Sequence, residues 1–105
     1  MCQLHHVAIA IAEFEKYKEL FEKLGMKVQR TTGEIPFRQL WFYEGIQLKE
    51  VCEVEVGNHV DHIAFDVQNI EETVKIALEN GCSSHPRGDN WFILPNGTII
   101  ELMEK

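Results

Sequence analysis

The sequence lacks what would tie it to a membrane, to nucleic acid or to an oxidising compartment. No apolar run reaches the roughly 18 residues that cross a bilayer, and nothing reads as a cleavable leader. Basic residues are scarce: 10 Lys and Arg stand against 17 Asp and Glu, a formal charge of −7. Phosphate backbones and anionic lipid surfaces repel such a chain when it has no clustered basic patch, so neither nucleic acid nor membrane is an expected partner. Small molecules and metal cations are. Cys2, Cys52 and Cys82 are odd in number and show no Cys-x-x-Cys spacing, which argues against a disulfide framework and against a closed thiolate zinc site. Each lies in or beside an apolar segment and is expected as a packed small hydrophobe in a reduced, cytoplasmic protein.

What is present is one ordinary globular domain, residues 1–105, with 45% hydrophobic residues to build a core. Within it the sequence repeats. Sliding the chain by 56 residues sets "HVAIAIAEFEKYKELFEKLG" (His6 to Gly25) on "HIAFDVQNIEETVKIALENG" (His62 to Gly81) without a gap. Later the shift falls to 54, and "GIQLKE" from Gly45 meets "GTIIELME" from Gly97 if the second turn holds two extra residues. Trp41-Phe42 and Trp91-Phe92 precede those turns in the same order. The chain therefore divides into two modules, residues 1–52 and 60–105.

Local physics is alike in both. "LHHVAIAI" and "VDHIAFDV" are apolar, β-branched and nearly alternating, as strands with a buried face are. Phe14, Tyr17, Phe21 and Leu24 then recur at helical spacing up to Gly25, a residue suited to the left-handed position after a helix. In the second copy Asn69 can cap a helix, Glu72 completes a capping box, and Ile70, Val74, Ala77 and Leu78 form the apolar stripe up to Gly81. Strands are expected over Lys27 to Arg30, Phe37 to Tyr43 and Ile46 to Val51, then near Cys82, Trp91 to Leu94 and Thr98 to Met103. Each module reads βαβββ, and neither buries its sheet and helix alone, so the two are expected to pair. The linker from Glu53 to Val60, with its Gly57-Asn58 turn signal, is short enough to join them side by side or to pass one to a partner chain.

Four polar residues hold matched places on these apolar strands: His6 and His62 on the first strand of each module, Gln47 and Glu101 on the last. If a pseudo-twofold relates the modules, the four converge. Two imidazoles, one carboxylate and one amide oxygen suit a divalent first-row ion (Ni, Co, Mn or Zn) in five- or six-coordination, with positions left for water or substrate. A single such residue on a strand is more often a satisfied polar group, but four at equivalent positions are harder to explain that way. By alternation His5 points to the face opposite His6. His59 and His85 fall in linker and loop, and none of the three is assigned a role. Glu50 and Glu104, three residues beyond Gln47 and Glu101, are expected on a solvated rim.

The stretches "LHHVAIAIAEFEKYKELFEKLGMKV", "HIAFDV" and "LPNGTIIELME" resemble the glyoxalase, or vicinal-oxygen-chelate, superfamily over nearly the whole chain. The resemblance implies an α+β fold of glyoxalase/bleomycin-resistance type, with two βαβββ modules in a curled mixed sheet around a metal, and a homodimer. Carried over by position, the metal ligands fall on His6, Gln47, His62 and Glu101, a pattern most similar to the methylmalonyl-CoA epimerases. A bacterial glyoxalase I would have Glu in place of Gln47. The implied activity is a metal-dependent lyase or isomerase on a small substrate with vicinal oxygens, through an enediolate-like intermediate, with Glu101 as proton carrier. The alternative is a non-enzymatic drug- or metabolite-binding protein with a cavity lined by Trp41, Phe42, Trp91 and Phe92. Departures are visible as well. The epimerases' second acid falls on Gln39, which cannot act as a base. Glu34 and Glu44 are the nearby acids, Arg30, Arg38, Arg87 and Lys49 are candidates for an anionic substrate group, and the chain is expected to lack the loops that would wrap a large cofactor.

Overall fold

The computed structural model describes residues 2–54 and 60–104, so Gly57-Asn58 and His59 lie outside the described residues. Among those described, the elements run β1 (Gln3–Ile11), α1 (Phe14–Lys23), β2 (Val28–Thr32), β3 (Gln39–Phe42), β4 (Ile46–Glu50), β5 (Val60–Val67), α2 (Ile70–Glu79), β6 (Ser83–Ser84), β7 (Trp91–Ile93) and β8 (Ile99–Glu104). The expected βαβββ order is present twice, and the class is α+β. No described helix is long and apolar enough to cross a membrane. The chain divides into two compact units, residues 7–61, and residues 1–6 together with 62–105.

In the unit of residues 7–61 the strand order is β2-β3-β4-β1. β3 is antiparallel to both β2 and β4, whereas β1 runs parallel to β4. Alternation sends Ile9 and Ile11 of β1 to the face that also receives Leu40, Phe42 and Leu48, and Phe14, Tyr17 and Phe21 of α1 close over them. Leu40 and Leu48 are fully buried, each contributing about 1.5–3 kcal/mol by leaving water. Leu24, expected on that stripe, is exposed instead. It lies past the last helical residue, where the chain turns through Gly25 at φ 101°. Such a left-handed turn suits glycine.

The second unit has the order β5-β8-β7-β6, with β5 parallel to β8 and β7 antiparallel to both β8 and β6. Val67, Phe92, Ile100 and Leu102 form its core, against which Ile70, Val74, Ala77 and Cys82 pack. Asn69 caps α2 as expected, its Oδ1 accepting from the Glu72 N–H at 2.9 Å. Glu13, at the start of α1, makes no such side-chain cap. Leu78 is exposed, so the stripe of α2 is narrower than its sequence suggests. Of the cysteines only Cys82 is packed; Cys2 precedes β1 and Cys52 follows β4, and both are exposed.

The two modules share one ladder register. In the first, Gln47 stands opposite Ala8 on β1 and Trp41 on β3. In the second, Glu101 stands opposite Ala64 on β5 and Trp91 on β7. The two acceptor-bearing side chains thus occupy the same rung of equivalent ladders, each on the strand face opposite the helix-packed Leu48 or Leu102.

Candidate metal centre

His6, His62 and Glu101 come together in the second unit. β1 and β5 carry the imidazoles, and β8 brings the carboxylate alongside β5. The even positions His62 and Ala64 face away from Ile63, Phe65 and Val67, which pack toward the helix. Ala64, paired across the ladder with Glu101, is fully buried and small, and so leaves the donors unobstructed. His6 Nε2 lies 3.2 Å from His62 Nε2 and 3.6 Å from Glu101 Oε1, and His62 Nε2 lies 3.3 Å from the same oxygen. Donors about 2.1 Å from one ion stand about 3.0 Å apart at a right angle and about 3.4 Å apart at a tetrahedral angle. The three edges of this triangle fall close to that range, so the donor set fits a divalent ion in size as well as in chemistry.

Electrostatics agree with this use. Burial is the largest influence on His6 and lowers its pKa to about 4, against the opposing pull of Glu101. The ring is therefore neutral at pH 7 and has a lone pair to give. At Glu101 burial is again the largest influence and pushes the carboxyl up, but the hydrogen bond to His62 and the charges of His62, His6 and His5 outweigh it, leaving a net shift downward. The site thus offers a neutral His6 ring, the His62 ring beside it and one carboxylate ionised at neutral pH.

Trp91 and His5 complete the surroundings. The Trp91 ring meets His62 edge-on at 4.8 Å, and Arg87 lies over the same indole at 5.0 Å. Trp91 also borders a cleft of about 960 Å³ between α2 and β6, which includes His85 but none of the three donors. His5 corrects an expectation: although it belongs to the other strand face, its ring turns back so that Nδ1 lies 2.7 Å from His6 Nδ1. Strict alternation hid that contact.

Gln47 is buried in the other unit, where its Nε2 donates to Gln39 Oε1 at 2.9 Å. Gln39, at the place of the epimerases' second acid, therefore orients an amide here. Other candidates are engaged structurally. Glu44 accepts from the Lys27 N–H, Arg30 lies over Trp41, and Lys49 pairs with Asp61. Arg38 sits over the Phe14 ring, bonds Glu15, and grips both oxygens of Glu50 at 2.9 Å. Glu50 is thus no solvated rim: the Arg38 hydrogen bonds hold its carboxyl down at about 2. Glu104 is exposed, as a rim residue should be.

No family profile matches the chain. No curated protein matches it either. Solved structures do. A hypothetical protein from Bacillus halodurans C-125 superposes with a TM-score of 0.76 at 20% identity, covering 99% of this chain and 94% of that one. A methylmalonyl-CoA epimerase from Mycobacterium tuberculosis gives 0.72 at 19% identity, covering 97% of this chain and 87% of its own. The match to 2,2',3-trihydroxybiphenyl 1,2-dioxygenase from Sphingomonas wittichii strain RW1 scores 0.69 at 14% identity and covers 97% of this chain but 42% of that larger one. Since most of the epimerase chain is spanned, the expected shortening of this chain relative to the epimerases is small. The fold of this chain is therefore of the glyoxalase/bleomycin-resistance type that the resemblance implied, α+β with the βαβββ order present twice.

Proposed function

We propose that the protein is a metal-dependent lyase or isomerase acting on a small substrate with two neighbouring oxygens. The observation that carries this reading is the triangle of donor atoms from His6, His62 and Glu101. A divalent ion (Ni, Co, Mn or Zn) held there would polarise a substrate carbonyl and stabilise the charge left when the adjacent carbon loses its proton. The chain's own groups supply the rest. His6 presents a neutral nitrogen beside that of His62, Trp91 packs edge-on against His62, and ionised Glu101 is the group able to take and return a proton. Gln39 is excluded as a base by its chemistry. Gln47 as a fourth donor rests on the sequence repeat, and metal affinity of Gln47→Ala tests it. One solved relative, a methylmalonyl-CoA epimerase of Streptomyces coelicolor in complex with 2-nitronate-propionyl-CoA, has 20% identity to this chain over 98% of its length. Acyl thioesters are therefore sensible first substrates.

The test is turnover of methylmalonyl-CoA or of methylglyoxal hemithioacetal by metal-loaded protein. Turnover of either, lost in Glu101→Ala, supports the proposal. A second reading, a non-enzymatic binder, has one observation in its favour: every buried side-chain nitrogen and oxygen among the described residues already has a partner within the chain. Tight ligand binding by metal-stripped protein without turnover would select it. We further propose a homodimer in the cytoplasm. Exposed Leu4, Ile35, Phe37 and Tyr43 supply apolar surface for association. Light scattering that gave a monomer at micromolar concentration would contradict the dimer.

A further inference from the structure

We infer that His5 is a positioning residue, whose side chain fixes the tautomer of His6 in which the inner nitrogen is free to bind a cation. The inference rests on the metal-site reading above and deepens it. Two ring nitrogens 2.7 Å apart share one proton, so one of the His5 and His6 Nδ1 atoms donates and the other accepts. When His6 donates through Nδ1, its Nε2 carries a lone pair, and that lone pair faces His62 Nε2 at 3.2 Å and Glu101 Oε1 at 3.6 Å. The reverse arrangement places the proton on Nε2 and closes the site to a cation. His5, as an acceptor at Nδ1, thus selects the arrangement that leaves the donor open. The ring centroids lie 5.0 Å apart with the planes at 76°, so the two rings are not stacked face to face. His5 is exposed, so this role costs the core nothing and the residue can be replaced without unfolding the chain. In the second repeat Asp61 stands where His5 stands in the first, and its carboxylate is engaged by Lys49 at 3.2 Å.

The experiment uses full-length, metal-stripped protein titrated with cobalt(II) against a competing chelator, following both affinity and the visible absorption of the bound ion. His5→Phe keeps a ring but has no acceptor, and is expected to weaken cobalt binding about 10- to 100-fold. His5→Asn, whose Oδ1 stands near the place of Nδ1, is expected to restore affinity to within a few-fold and to recover the absorption spectrum. Long-range nitrogen–proton NMR of the zinc-loaded wild type should find the His6 proton on Nδ1. If His5→Phe binds as the wild type does, or if His5→Asn is no better than His5→Phe, the positioning role is wrong while the metal site stands. If the wild type takes up no cobalt, the metal-site reading itself fails, and this inference with it.

Discussion

The two modules use one ladder register for different chemistry. In the module around α1, the Trp41–Gln47 rung carries a neutral amide, and Gln47 is tied to Gln39. In the module around α2, the equivalent Trp91–Glu101 rung carries a carboxylate that approaches His62 at 3.3 Å. The cores beneath are alike, each a strand-borne leucine closed over by one amphipathic helix. Duplicated backbones therefore repeat positions faithfully, while the exchange of amide for carboxylate changes the charge and the partners of the rung. The first module also has a charge cluster in which Arg38, just before β3, meets Glu50 of β4 and Glu15 of α1.

Four substitutions sharpen the comparison. The largest effect is expected in the cores. Leu48→Ala and Leu102→Ala each remove a fully buried side chain from an equivalent place, and each should cost about 2–5 kcal/mol in chemical unfolding. If the modules are energetically alike, the two losses should be similar; a loss confined to one of them would show that the other contributes little to global stability. Next comes Gln39→Leu, which leaves the buried Gln47 Nε2 without the acceptor it now has. A cost of about 1–3 kcal/mol is expected, and a neutral outcome would mean that Gln47 finds another partner.

The smallest effect is a pH dependence at Glu50. Its folded pKa is depressed to about 2 from an ordinary value of 4.5, chiefly by the Arg38 hydrogen bonds. A depressed carboxyl stabilises the folded state above its unfolded pKa, and that stabilisation is lost as pH falls toward the folded pKa. The difference in unfolding free energy between wild type and Glu50→Gln should therefore be greatest above pH 4.5 and shrink between pH 4.5 and 2. A difference independent of pH across that window would place the benefit in packing.

Much of this was legible in the sequence because it depends on period. Alternation in "HVAIAI" and "HIAFDV", helical spacing of Phe14, Tyr17 and Phe21, and glycines at the helix ends mark the elements, and the repeat picks out His6, Gln47, His62 and Glu101, three of which the structure brings together as one donor group. What it could not supply depends on side-chain reach and on pairing between distant strands. His5 belongs to the opposite strand face, yet its ring can swing back at the exposed start of β1. Arg38 meets Glu50 because the Glu50 N–H bonds the Arg38 carbonyl at 2.8 Å, a register that no local pattern in either strand encodes. Leu24 keeps helical spacing with Phe21 but follows the last helical residue, so the period outlives the helix.

The central claim is that His6, His62 and Glu101 form a cation site, and the melting temperature of metal-stripped protein tests it most directly. Adding Ni, Co, Mn or Zn to the wild type should raise the melting temperature, saturating at one ion per chain. At about 100 times the dissociation constant the gain is about 2.7 kcal/mol, which for a domain of this size is a rise on the order of 10 °C. His62→Ala and Glu101→Ala should abolish the rise. A wild type indifferent to all four ions, or variants that respond as fully as the wild type, would contradict the account and leave the three side chains as a hydrogen-bonded cluster.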